Sequence, residues 1–146
     1  MKWPILIFSA VMAGCAVQGP PFQRATAPSG NATIYVYRPY HYGSSLIVPA
    51  VTCGDDTSRI DPGGYHAFIV PTNQEPIICH VAAETTDEVE IDDAEARVYY
   101  IREELGWGVL SSHPHLNPID NDKAETEIAK CCVQQGSVNS QPPPNS

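Results

Sequence analysis

From Ala32 onward the chain is a succession of short runs rich in Val, Ile, Tyr and Thr, each closed by Gly, Pro, Asn or Asp. This punctuation leaves room for strands and almost none for long helices. The first run sets the pattern, alternating Ile34 and Val36 with Tyr35 and Tyr37. Seven strands are predicted, over 32–38, 46–53, 65–70, 77–83, 88–92, 97–102 and 107–111. Between the second and third, Asp61-Pro62-Gly63-Gly64 supplies a proline that presets φ and glycines that tolerate positive φ. One helix is predicted over 122–132, capped by Asp120 or Asn121, with acids early, Lys130 late, and a buried stripe of Ala124, Ile128, Cys131 and Cys132. The expected fold is all-β and mainly antiparallel: a single two-layer β-sandwich-like domain of about seven strands with one C-terminal helix.

The N-terminus addresses location. Lys2 precedes an apolar run that is too short to span a bilayer, which takes about 20 residues, and that fits the core of an export signal. The run closes on Ala13-Gly14-Cys15, which resembles a bacterial lipobox, with Met12 where leucine is more common. That resemblance implies cleavage before Cys15, lipid on its sulfur, and membrane attachment through acyl chains. Ala16, standing where aspartate would mark retention, implies the outer membrane of a Gram-negative host, with the domain facing the periplasm. The expected organisation is a signal at 1–14, lipidated Cys15 with a flexible tether at 15–30, the β-sandwich domain at 31–134, and a disordered Pro-rich tail at 135–146. The net charge is −9, one unit more negative once Lys2 is removed. Such a chain repels phosphate backbones, so no nucleic-acid partner is expected.

With Cys15 assigned to lipid, Cys53, Cys79, Cys131 and Cys132 remain, an even number in an exported chain and therefore candidates for disulfides. Bridging Cys131 to its neighbour is disfavoured by the usual Cα separation of roughly 4.4–6.8 Å, against about 3.8 Å for adjacent residues. Two connectivities stay open, each joining Cys131 and Cys132 to Cys53 and Cys79.

Ala32-Thr33-Ile34-Tyr35-Val36-Tyr37-Arg38-Pro39, Gly63-Gly64-Tyr65 and Val98-Tyr99-Tyr100-Ile101-Arg102 resemble segments of an uncharacterised family of small bacterial lipoprotein β-domains. The resemblance spans roughly 32–132 and implies a lipidated signal ahead of an IYVYR-like opening strand. The chain departs from that family at Pro71-Thr72, where a Pro-Gly turn is usual, and at Glu95-Ala96-Arg97, where a glycine is expected. The resemblance supplies no catalytic residue.

Several residue groups invite chemistry. Cys79-His80 places a thiol beside a base, but strand neighbours point to opposite faces and form no dyad. A hairpin centred on Asn73 would set His66 opposite His80, able to share a metal. His113-Pro114-His115 places two imidazoles on one face, with Asp120 or Asp122 near in sequence. Neither spacing is a zinc signature, so no metal and no other cofactor is expected. The acids between Glu84 and Glu95 put Glu88, Glu90 and Asp92 outward and Val89 and Ile91 inward, and lack the glycine-containing calcium-loop spacing. Tyr35, Tyr37, Tyr40 and Tyr42 are the expected binding surface, since an exposed tyrosine offers large contact area at low entropic cost. The expected function is a lipid-anchored envelope module that recruits or stabilises an envelope protein or glycan without catalysis. The alternative is a small metal-dependent hydrolase using His66/His80 or His113/His115 on envelope material.

Overall fold

The structure is a computed structural model that describes residues 19–40, 47–106 and 113–135. It holds β1 (Asn31–Arg38), β2 (Ala50–Cys53), β3 (Asp56–Arg59), β4 (Gly64–Pro71), β5 (Ile77–Ala82), β6 (Thr86–Ile91), β7 (Val98–Leu105), β8 (Pro114–Pro118), α1 (Asn121–Cys131) and β9 (Val133–Gln134). They form a five-stranded sheet, β8-β7-β1-β4-β9, facing a four-stranded sheet, β3-β2-β5-β6. Most pairings are antiparallel, but β1 lies parallel to β7 and β4 parallel to β9. The all-β sandwich with one C-terminal helix is as the sequence indicates, with nine strands among the described residues instead of seven. β3 escapes notice because Asp56-Thr57-Ser58-Arg59 has no apolar alternation, and β8 because it opens on Pro114, which reads as a turn. The strand expected at 107–111 lies outside the described residues. No helix among the described residues is long and apolar enough to cross a membrane.

Between the sheets, Ile34 and Val36 of β1 pack with Phe68, Val70, Val51, Ile77, Val81 and Ile101, all almost fully buried. The alternate residues of β1 point the other way and are buried as well: Tyr35 is 3% exposed and Tyr37 is not exposed at all. They are covered by a third layer that the two-layer expectation lacks. α1 and residues 20–25 lie across the outer face of the five-stranded sheet, on a floor of Tyr35, Tyr37, Tyr65 and Tyr100. Tyr35 stacks on Tyr100 at 5.3 Å, and Phe22 meets Tyr35 and Tyr65 edge-on at 5.5 and 5.6 Å.

Each of the four hydroxyls has a partner in that third layer. Tyr37 donates to Glu127 at 2.6 Å and Tyr100 to Glu125 at 3.0 Å. Tyr65 and Tyr35 bond the backbones of Gln23 and Ala25. α1 has 11 residues, a length at which an isolated helix is marginal, so this docking and its caps hold it. Asp120 caps it by accepting from the Asp122 amide at 3.1 Å, and Lys130 faces the negative end of the dipole.

Residues 16–30 were expected to be a free tether, and the structure corrects this for the described part. The Gln134 amide donates to the Pro20 carbonyl at 3.0 Å, Pro21 bridges Val133, and Arg24 pairs with Glu125 at 3.2 Å. The tyrosine hydroxyls need partners when buried, and the backbone of this strap provides two of them.

The disulfides also differ from expectation: Cys53 bonds Cys79, and Cys131 bonds Cys132. Cys53 and Cys79 are register partners on β2 and β5 and face the inter-sheet core. Cys132 belongs to the layer under α1, so the five-stranded sheet stands between the two pairs and forbids the cross-connections. Where α1 ends, Cys132 turns extended (φ −139°, ψ 148°) and the neighbouring sulfurs meet across a small ring. Non-reducing peptide mapping should return these two bridges. Replacing Cys53 and Cys79 together by serine should cost about 3 kcal/mol in a denaturant titration, because their bridge closes a long loop of the unfolded chain. The Cys131/Cys132 double serine variant should cost far less, since its loop restricts almost nothing.

Candidate functional site

A recess lies at the corner where the two sheets approach each other. β6 is an edge strand whose only ladder partner among the described residues is β5, with Glu88 and Glu90 exposed outward and Val89 and Ile91 turned toward the core. Across from it, β8 covers β7 only from Ile101 to Leu105, then leaves at Pro118 to start α1. The departure uncovers the flank of β7 at Tyr99 and leaves a groove of about 320 Å³. Val89, Ile91, Tyr99, Ile101, Pro118 and Ile119 line it apolarly, and Glu90, Asp92 and Asn121 add polar atoms.

Local bonds fix the walls. The Leu116 amide donates to Asp87 Oδ2 at 2.8 Å, tying β8 of one sheet to β6 of the other just beside the groove. Ile119 N–H donates to the Tyr100 carbonyl at 2.9 Å. The β6–β7 connection turns through Asp93 at a φ of 49°, and the Glu95 amide donates to the Tyr99 hydroxyl at 2.9 Å. Arg97 lies over the Tyr99 ring at 4.9 Å and pairs with Glu95. A preformed apolar trough with a carboxylate rim and a strand edge along one side suits an extended segment that brings apolar and cationic side chains.

The second polar cluster lies at the end of the sandwich where β1 and β7 finish. Arg38, 2% exposed, donates through Nη1 to the Ile47 carbonyl at 2.9 Å and the Ile60 carbonyl at 3.3 Å. Glu103 is fully buried, and neither carboxylate oxygen has a hydrogen-bond partner among the described residues. Burial pushes its carboxyl up to about 7, and the nearby Arg38 charge offsets only part of that. His66 is close by in the fold, with Nε2 3.3 Å from Asp56 Oδ2 and Nδ1 3.4 Å from the Gln135 carbonyl. Both ring nitrogens are therefore engaged, and the imidazole has none left to activate a hydroxyl or hold a metal.

The sequence candidates fall as follows. His66 and His80 are not opposite each other: β4 and β5 belong to different sheets, His66 points between them, and His80 pairs across from Thr52 and Glu88. A shared metal at that pair is overturned. His113 and His115 are exposed, near Thr85 and Asp87 respectively. Among the described residues no group of three or more His, Cys, Asp or Glu is arranged to hold a metal ion. Cys79 is consumed by its disulfide. Of the expected tyrosine surface, Tyr35 and Tyr37 are buried beneath α1 and the strap because their hydroxyls are partnered there. Tyr40 is 53% exposed, and Tyr42, like Cys15, lies outside the described residues. The outward acids of β6 are where the sequence puts them. Their role as the rim of a groove was hidden, because the opposite wall comes from β7 and the end of β8.

No protein-family profile matches the chain, and no curated protein or solved structure is significantly similar to it.

Glu103 generates a pH signature. Its folded-state value lies above its ordinary one, so the stability it contributes is full below about pH 4.5 and is lost as pH rises through about 7. The loss amounts to about 3 kcal/mol at most. Glu127 has the opposite sense: the Tyr37 hydroxyl and Arg102 hold it below its ordinary value, so its contribution falls away only in acid. Thermal unfolding from pH 5 to 8 should therefore show a decline in Tm that Glu103→Gln flattens, with the variant at least as stable as the parent at pH 8.

Proposed function

We propose that this chain is a lipid-anchored binding module of the cell envelope, held through Cys15, whose partner lays an extended, basic segment into the groove beside β6. The observation that carries this reading is the groove itself: an apolar floor, an acidic rim at Glu90 and Asp92, and an edge strand with no second strand partner among the described residues. Strand addition supplies main-chain hydrogen bonds, the floor takes alternate apolar side chains, and the rim selects lysine or arginine. The same acids repel a second copy of this acidic chain, which keeps the edge free for a partner of opposite charge. The module needs no reaction and no cofactor of its own, and its net charge of −9 directs it away from nucleic acid.

A photo-crosslinking residue at exposed Asn121, on the rim, should capture a partner in intact cells, and the captured peptide should carry Lys or Arg within an extended segment. The same probe at exposed Arg59, on β3 at the opposite edge of the four-stranded sheet, should not. Reversing the rim with Glu90→Lys and Asp92→Lys should weaken binding of that peptide about tenfold. Capture that survives the reversal undiminished, or that occurs only from Arg59, would sink the proposal.

A further inference from the structure

We infer that the strap and the end of the sandwich where it enters form a membrane-facing surface, so that the domain is held in one orientation on the lipid with the groove turned away from it. The inference rests on Cys15 being the lipidated residue.

Chain length comes first. Only Ala16, Val17 and Gln18 separate Cys15 from Gly19, the first described residue of the strap. Four steps of fully extended chain reach about 14 Å at most, well short of the roughly 30 Å width of a small domain. A domain tied this closely cannot present every face to the bilayer. The tie is also pinned where it meets the body: a Cβ on Gly19 would run into the Gln134 carbonyl, Pro20 accepts from the Gln134 amide, and Phe22 is wedged against Tyr35 and Tyr65.

The exposed apolar residues give an independent indication. The strap enters beside Val133 and Gln134, next to Gly64, the register partner of Arg38 at the end of β1. At that same end stand Tyr40, two residues beyond β1, and Ile47, whose carbonyl binds Arg38. They are 53% and 38% exposed, two of the four large apolar side chains left open to solvent among the described residues. A tyrosine and an isoleucine beside a lipid-bearing terminus have the chemistry of an interfacial contact, the ring sitting at headgroup level. Lys130, exposed in the last turn of α1 and followed by Cys131, whose carbonyl lies near Gly63, adds a cation on this side. The groove includes Tyr99, which pairs with Ile34 toward the other end of β1, and so opens away from the bilayer.

The lipidated protein, purified and reconstituted in phosphatidylethanolamine and phosphatidylglycerol vesicles containing a headgroup acceptor dye, tests this by energy transfer. Donors are attached at Lys130→Cys, on the strap-entry end, or at Ser29→Cys, before β1 at the far end. Flotation with the vesicles and the mass of the Cys15 peptide read the anchor separately. Transfer should be clearly stronger from position 130 than from position 29. The difference should be lost in Phe22→Ala and in Gly19→Val, the second variant removing no core side chain, and should shrink in Tyr40→Ser with Ile47→Ser. Equal transfer from both positions in a protein that floats overturns the orientation while leaving the anchor standing. A chain that carries no lipid and does not float overturns both.

Discussion

Four tyrosine hydroxyls hold the outer layer of this protein to its five-stranded sheet, and most of what distinguishes the molecule from a plain sandwich depends on them. Tyr37 and Tyr100 bond Glu127 and Glu125 of α1, while Tyr65 and Tyr35 bond the backbones of Gln23 and Ala25. A buried hydroxyl without a partner costs about 1–3 kcal/mol, and a bond to a carboxylate is among the stronger kinds, so helix and strap are each held where the tyrosines are satisfied. Burial keeps all four phenols protonated by raising them above their ordinary range, which preserves Tyr37 and Tyr100 as donors to the two carboxylates, while Tyr65 and Tyr35 accept from the Gln23 and Ala25 amides. Arg102 reinforces the helix side, contacting Glu127 at 3.2 Å and Glu104 at 2.8 Å.

This clamp gives the domain two unlike ends. At one, the strap, the C-terminal end of α1, the Cys131–Cys132 bridge and the Arg38–Glu103 cluster gather where β1 finishes; the Cys132 sulfur lies 3.8 Å from the Arg38 carbonyl. Toward the other, the departure of β8 opens the groove between β6 and β7. The Leu116–Asp87 bond ties β8 to β6 beside it. The proposed recruitment function would need one end near the lipid and one end facing a partner, and two unlike ends on one body are compatible with that.

Much of the inner architecture was legible in the sequence. Ile34 and Val36 facing inward, the Asp120 cap with the Ala124–Ile128 stripe, and the outward acids of β6 all follow from period-two and helical spacing. The tyrosines show where that reading stops. Alternation correctly turns Tyr35 and Tyr37 away from Ile34 and Val36, but which face of a sheet meets solvent depends on what else the chain lays over it. Here the cover comes from the far C-terminus and from a Pro- and Gly-rich segment with no periodicity. The cysteines failed for a related reason. Spacing alone excludes the vicinal bond on average geometry, whereas the decisive fact is that a sheet separates Cys53 and Cys79 from Cys131 and Cys132. The groove needs β7 and β6 to meet across two sheets, and no local pattern records that.

Hydrogen exchange of the Gln23 and Ala25 amides bears most directly on the clamp. In the parent domain both should exchange slowly, close to the rate set by global unfolding, and Tyr65→Phe with Tyr35→Phe should release them while the β1 and β4 amides stay protected. Exchange of Gln23 and Ala25 at the rate of an unstructured peptide in the parent would contradict the clamp, and with it the orientation and the third layer built on it.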